Sequence, residues 1–434
     1  METPVRLAVV CGRLRRSTKS EIRNRNLWKS VEIGGSAFFC RLISSSQMSE
    51  QFSIMIVAGE PSGDAHAAAL VRALRAAAPD TRFEFFGATG RLMRAEAIET
   101  IVDSEELAIM GIVEVTRALP RFIKAFRALK RAALDKKPDA VILVDWPEFN
   151  LRLAATLHRN GLKVIYYISP QLWAWRPKRV EKIQRDVDLL LSILPFEAGW
   201  YEQRGVTHVA FVGHPLAGEV KPRFDRLEFS RRHDLDEQRP IITFLPGSRQ
   251  KEVQRILPSM LAAIHQLNIK RPDVQSVVCV APNRTIEETR AIIARQNGSG
   301  APLRIVHGET REALAASDAS AVASGTATLE AALVGTPMVI VYKESPINWH
   351  TLGRLITAEH FGLVNLIAGE RLVTELMQTD LTGENLSKEL LGLLAPDRNS
   401  SLRHRLHDVA QRLGDPGASH RAAQKIVEAL RSWN

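Results

Sequence analysis

Short apolar runs alternate with amphipathic segments from Phe52 to Tyr342, and they do so in two successive series. In the first, Phe52–Ala58, Arg82–Phe86, Ala140–Trp146, Val164–Ser169, Leu189–Leu194 and Val209–Val212 read as strands. Helical patterns such as Pro61–Ala78 separate most of them. In the second, Ile241–Leu245, Val277–Ala281, Leu303–Val306, Ala319–Ala323 and Met338–Tyr342 read as strands in the same way. Strands joined through helices pair in parallel and need helices on both faces of their sheet. The expected fold class is α/β, with two Rossmann-like doubly wound domains facing a cleft. The polar stretch Glu219–Arg239 separates the two series. The expected domains are 48–220 and 221–345, followed by a helical C-terminal segment, 346–434, packing back on the first domain.

Charge narrows the classes of partner. Of the formal net charge of +10, a net +6 sits in residues 1–47, which hold nine Lys/Arg and three Asp/Glu. The folded body is thus close to balanced, and a nucleic-acid partner is not expected. Residues 1–47 are Arg- and Ser-rich and weakly periodic. They read as a transit-like peptide, a basic arm, or a stretch upstream of a true start at Met48, the last being favoured. No apolar run reaches the length of a membrane span. Cys11, Cys40 and Cys279 form neither an even disulfide framework nor a metal-ligand cluster, which fits a reducing cytoplasm.

Chemistry-bearing residues cluster where strands end. Ser324–Pro337, SGTATLEAALVGTP, follows the strand Ala319–Ala323 with small hydroxylated residues and a glycine. Such a turn presents backbone N–H groups and a helix N-terminus to an anion. Ser324, Gly325, Thr326 and Thr328 are the candidate contacts, and Glu330 lies one turn deeper, in reach of a sugar hydroxyl. Phe244–Glu252 repeats the arrangement, with Gly247 and Ser248 in a tight turn and Arg249 as a fork of donors suited to a diphosphate. Anion and sugar together point to a nucleotide-sugar diphosphate.

In the first series, Ala58–Asp64 (AGEPSGD) offers Ser62, Gly63 and Asp64 at a strand-to-helix turn, and a plain structural turn is the competing reading. Asp145, in Val144–Asn150 (VDWPEFN), sits at the carboxyl end of a central strand. There a carboxylate either takes a proton from an attacking hydroxyl or caps the following helix. Ile168–Arg179 places Gln171, Trp173, Trp175 and Arg176 after the next strand, for sugar stacking or for packing. His214, in Val212–Pro215 (VGHP), reads as a diphosphate donor or as a hinge residue. From Met110 to Lys137 apolar residues, among them Ile112, Val115, Phe122 and Phe126, recur at helical spacing between basic ones. This segment suits either an anionic membrane surface or a helix packed on the sheet. Pro120 is expected to divide it into two helices.

The order and spacing of these motifs resemble bacterial lipid-A-disaccharide synthase, a GT-B glycosyltransferase. The matching stretches are AGEPSGD, ELAIMGIVEV (Glu106–Val115), VDWPEFN, ISPQLWAWRPKR, LPFE (Leu194–Glu197), VGHPL, LPGSR, SGTATLEAALVGTPMVIVYK and LVNLIAG (Leu363–Gly369). The family usually has Ala where this chain has Pro61. The resemblance implies an inverting transfer from UDP-2,3-diacylglucosamine to 2,3-diacylglucosamine 1-phosphate, in the cytoplasm and peripheral on the inner membrane. It implies no cofactor and no divalent metal. Asp145 is expected as the base and Asn365 as a polar residue near the cleft. Gly247, Ser248, Arg249, Gly325 and Thr326 are expected on the diphosphate, Glu330 on the ribose, and Ser62 and Asp64 on the acceptor side. A homodimer through exchange of the helical tail stays open. The rival readings are a UDP-sugar 2-epimerase, which shares the fold and the nucleotide site, and a non-catalytic nucleotide-sugar or lipid-binding protein.

Overall fold

The structure is a computed structural model. It describes residues 50–107, 112–296, 302–345, 349 and 360–433, with the backbone alone for 112–118. It also describes two short strands, β1 (Glu32–Ile33) and β2 (Ser36–Ala37), which pair antiparallel within the separate unit Met1–Ser49. The remainder of the expected extension 1–47 lies outside the described residues, as does Met110.

Within Glu50–Asn434, the first sheet holds β3 (Gln51–Ala58), β4 (Arg82–Thr89), β5 (Glu99–Asp103), β6 (Ala140–Val144), β7 (Val164–Tyr167), β8 (Leu189–Ser192) and β9 (Val209–Phe211). Its order is β5-β4-β3-β6-β7-β8-β9, all parallel. The second holds β10 (Ile241–Leu245), β11 (Gln275–Val280), β12 (Leu303–His307), β13 (Ala319–Ala323), β14 (Met338–Tyr342) and β15 (Glu375–Met377). Its order is β12-β11-β10-β13-β14-β15, again all parallel. Central strands such as β6 and β13 are buried along their whole length, which is why their sequences are unbroken runs of apolar and small residues.

In each sheet the strand order reverses beside the first strand. The reversal falls between β3 and β6, and between β10 and β13. At such a switch point the two flanking connections leave in opposite directions and open a crevice at the carboxyl ends of the strands. The register pairs Ala58 with Val144 and Leu245 with Val322. The loops starting at Gly59 and Asp145 therefore leave side by side, as do those starting at Pro246 and Ser324.

The chain crosses between the sheets twice, and the crossings are tied together. His214 N–H donates to the Leu413 carbonyl at 2.8 Å. Arg421 donates to the carbonyls of Val212, Asp415 and Pro416. The tail expected as one helical segment divides its packing. Leu386, Leu390, Leu402 and Leu406 join the core of the second sheet, while Ala422, Ile426 and Leu430 join that of the first.

Two further expectations need correction. The segment after 346 contributes a strand, β15, to the second sheet, and Pro120 lies inside one continuous helix, Ile112–Lys136. Proline removes one N–H and crowds the preceding turn. Here Leu119 and Pro120 face solvent, so the proline ring takes no place in the packed face of the helix.

Candidate active site

The first switch point holds two consecutive left-handed residues, Asp145 (φ 49°) and Trp146 (φ 52°). Such backbone is costly for residues with a Cβ and persists only when its surroundings hold it. Here the Asp145 carbonyl accepts from Tyr166 Oη at 2.6 Å and from Asn150 Nδ2 at 2.8 Å. The Trp146 ring stacks on Phe149, centroids 4.1 Å apart, and the helix Pro147–His158 starts there. The turn leaves the Asp145 side chain half-buried at the strand end. Burial, and then the negative charge of Glu60, push its carboxyl up to about 6. Glu60 is a site residue that sequence reasoning overlooked, although it stands inside AGEPSGD at the partner strand's end.

Gly59 explains why that loop begins with glycine. A Cβ there would lie 2.0 Å from Cδ2 of Trp146. Gly59→Ala is expected to force the indole off Phe149, cost about 1–3 kcal/mol of stability, and reduce turnover through the adjoining Asp145. Thermal unfolding and turnover, measured together, check this. Unchanged values in both would contradict the packing account.

The acceptor-side residues do not all face the crevice. Ser62 is exposed on the first turn of the helix Pro61–Ala77, and Gly63 is buried. Asp64 is buried and its carboxylate accepts the N–H groups of Gly90, Leu92 and Met93 at 2.9, 2.8 and 3.1 Å. It caps the helix Arg91–Ala95 from a distant part of the chain. Its expected role on the acceptor is replaced by a structural one.

At the second switch point, Gly247 (φ 113°) and Gly325 (φ 153°) adopt backbone that favours glycine. Each lies just before a helix, Gln250–Lys270 and Thr326–Leu333, and Gly325 is the N-cap of the latter, which has no side-chain cap. Their first N–H groups and the positive helix ends suit an anion. Ser248 is exposed beside Gly247. Arg249 reaches out of the helix start, its side chain 80% exposed and only 3.4 Å from Glu252. Glu330 accepts from Arg311 Nε at 3.1 Å. Arg311 also donates to the Glu219 carbonyl, which ties Glu330 to the crossing segment.

Thr328 and Asn365 fall outside this set. Thr328 is buried and donates to the Gly325 carbonyl at 2.7 Å, so it shapes the loop from behind. Asn365 is fully buried. Its Nδ2 donates to the Val373 carbonyl and Glu375 Oε1, and its Oδ1 accepts Val373 N–H. Glu375 in turn accepts the N–H groups of Phe361 and Gly362. The residue expected to act in the cleft holds the loop behind it. His214 is likewise buried. Its Nδ1 accepts Leu216 N–H at 3.2 Å, and burial, aided by nearby His66, pushes the imidazole down to about 4.

The two halves share a cavity of about 440 Å³. Gln171, Trp173 and Trp175 line it from the first half, and Ser324, Gly325, Thr326 and Phe361 from the second. The tryptophan loop is anchored by Glu197, a second residue that sequence reasoning missed despite the quoted LPFE. This buried carboxylate accepts from Ser169 Oγ at 2.6 Å and from Trp173 Nε1 at 3.0 Å, while burial pushes it up to about 7.

On the basic helix, Phe122 and Phe126 turn inward onto Phe149 instead of outward to acyl chains. Among the described residues of this helix, Leu119 and Ile123 are the exposed large apolar ones, 52% and 42% accessible, with Arg121, Lys124 and Arg127 exposed beside them. Ile112 and Val115 lie on the same helix, their side chains outside the described residues. Two Asp-x-Asp strings occur, Asp186–Asp188 and Asp234–Asp236. In the first, Asp186 pairs with Arg185 and Asp188 with Lys163. Among the described residues no group of three or more His, Cys, Asp and Glu is placed to hold a metal.

Known proteins match this geometry at two levels. "Crystal Structure of CalG4, the Calicheamicin Glycosyltransferase" shares the fold at TM-score 0.55 and 16% identity, covering 88% of this chain and 98% of that one. A UDP-GlcNAc 2-epimerase from Neisseria meningitidis bound to UDP-GlcNAc does so at TM-score 0.54 and 11% identity, covering 88% and 100%. Likeness at that identity speaks for the fold alone. Sequence goes further: the lipid-A-disaccharide synthase of Trichlorobacter lovleyi is 43% identical over 378 residues, 87% of this chain and 97% of that protein. The family model described as lipid-A-disaccharide synthetase matches residues 54–429, and the chain belongs to that family.

Proposed function

We propose that this chain transfers diacylglucosamine from UDP-2,3-diacylglucosamine to the 6-hydroxyl of 2,3-diacylglucosamine 1-phosphate. The products are a β-1,6-linked disaccharide 1-phosphate and UDP, with inversion in one displacement. The observation that carries this reading is the pairing of two switch points in one body. One bears a raised carboxyl and the other bears anion-seeking loops, with a shared cavity beside them. Asp145 takes the proton of the attacking hydroxyl. Arg249, Ser248 and the backbone at Gly325 and Thr326 hold the diphosphate and stabilise the charge that develops as UDP leaves. Glu330 binds the ribose. No helix among the described residues is long and apolar enough to cross a membrane. Leu119 and Ile123, ringed by cations, suit contact with an anionic leaflet carrying both acylated substrates.

The reading is tested by UDP release. UDP is expected only when both lipids are present, and release from the donor alone would contradict a direct transfer. The pH profile is a second check. A base works when ionised, so kcat/KM is expected to rise with pH through about 6, where Asp145 titrates, and to level off above it. Glu60→Gln removes the like charge that raises this group, so the acid limb should move to lower pH. A limb that stays in place would remove Glu60 from the account.

A further inference from the structure

We infer that Arg176 and Arg179, gathered around Glu148, form the site for the phosphate of the sugar acceptor, an inference that rests on the transfer proposed above. Arg179 binds both oxygens of Glu148, at 2.7 and 3.0 Å, and Arg176 Nη1 reaches Oε1 at 3.0 Å. The Arg179 hydrogen bond, then the positive charges of Arg179, Arg176 and Arg152, hold the Glu148 carboxyl below the usual carboxylate range. Two guanidinium groups thus share one carboxylate, the charge of Arg152 adds to theirs, and Lys178 is exposed in the same short stretch. This local excess of positive charge favours an anion, and guanidinium forks match phosphate oxygens.

The cluster is also in the right place. The Arg176 guanidinium carbon lies 4.3 Å from the centroid of the Trp175 ring, and that of Arg179 lies 5.9 Å from it. Trp175 lines the cavity shared with Gly325 and Thr326, so the cations stand behind one wall of the cleft. Arg176 keeps a left-handed backbone (φ 58°, ψ 51°) just ahead of Pro177, and its side chain is 42% exposed. Glu148 is on the first turn of the helix that begins just after Asp145 and Trp146. In the acceptor's pyranose the phosphate is on C1 and the reacting hydroxyl is on C6, which hangs from C5. C1 and C5 flank the ring oxygen, so both groups project from the same edge of one sugar ring. With the hydroxyl at Asp145, the phosphate needs a cationic group on the same wall, outside the loops that take the donor diphosphate. The Arg176–Arg179 cluster meets that requirement.

The test compares 2,3-diacylglucosamine 1-phosphate with the same acceptor carrying a free 1-hydroxyl, using the full chain. Losing a charge-assisted contact of about 1.5–3 kcal/mol corresponds to roughly 10–100-fold. Arg176→Ala is therefore expected to raise KM for the phosphorylated acceptor by about that factor, leaving KM for the UDP donor and for the hydroxyl acceptor near wild type. Arg176→Lys should recover part of the loss. A structural role would slow both acceptors alike, and that outcome would overturn the inference while leaving the transferase reading in place. A second readout is independent of turnover: ³¹P line broadening of glucosamine 1-phosphate, with excess UDP filling the donor site. Saturable broadening is expected with wild type and should vanish in the Arg176→Ala/Arg179→Ala double variant. Broadening that persists, or is absent in wild type, would overturn the phosphate site. If wild type forms no disaccharide at all, the transferase reading fails, and the ³¹P titration still decides this site.

Discussion

Asp145→Asn is expected to lower turnover by about 10²–10⁴-fold with donor binding preserved. The substitution is unusually clean at this position. Asparagine tolerates left-handed backbone as well as aspartate does. The Asp145 carbonyl holds the turn through Tyr166 Oη and Asn150 Nδ2, and the carboxylate's one backbone contact, from Trp146 N–H, can be accepted equally by the asparagine Oδ1. The variant should therefore keep its fold, its Trp146–Phe149 stack and its second-sheet anion loops. What it loses is the group able to take a proton. Steady-state turnover, UDP affinity and thermal unfolding together decide the matter. Near-wild-type turnover would make Asp145 a turn residue only.

Asn365→Ala should act on stability first. The side chain is fully buried and spends both polar atoms on Val373 and Glu375. Truncation strands the Val373 N–H and takes a donor from a carboxylate that also holds Phe361 and Gly362. The expected cost is about 2–4 kcal/mol, since buried groups left unsatisfied forfeit their full desolvation. Because Phe361 lines the shared cavity, substrate KM should rise as well, while the acid limb of the pH profile stays where Asp145 puts it. A variant of normal stability with a large loss of kcat would return Asn365 to the chemistry.

The parallel strands that carry the site were legible because burial on both faces demands unbroken apolar or small-residue runs. Ile241–Leu245, Ala319–Ala323 and Met338–Tyr342 have the same limits in the structure as in the sequence reading. The edge strands Glu99–Asp103 and Glu375–Met377 escaped notice, the first for its charged ends and the second for its brevity. The loops at the switch points were legible for the same reason as their strands, since each couples a strand end to glycine and small polar residues. Individual roles were harder to read. Asp64 caps a helix beginning 27 residues later, and Asn365 finds its partners across the loop to β15. Such roles depend on which chain segments meet, and local pattern does not record that. Glu60 and Glu197 were present in quoted motifs, but only the fold sets one against Asp145 and buries the other beneath the tryptophan loop.

The two switch points are expected to serve one direct displacement. Its most direct test incubates the purified chain with UDP-2,3-diacylglucosamine and 2,3-diacylglucosamine 1-phosphate, then determines the product's mass and the configuration of its new bond by NMR. A β-1,6-linked disaccharide 1-phosphate is expected. An α-linked product, or UDP without a disaccharide, would contradict the account.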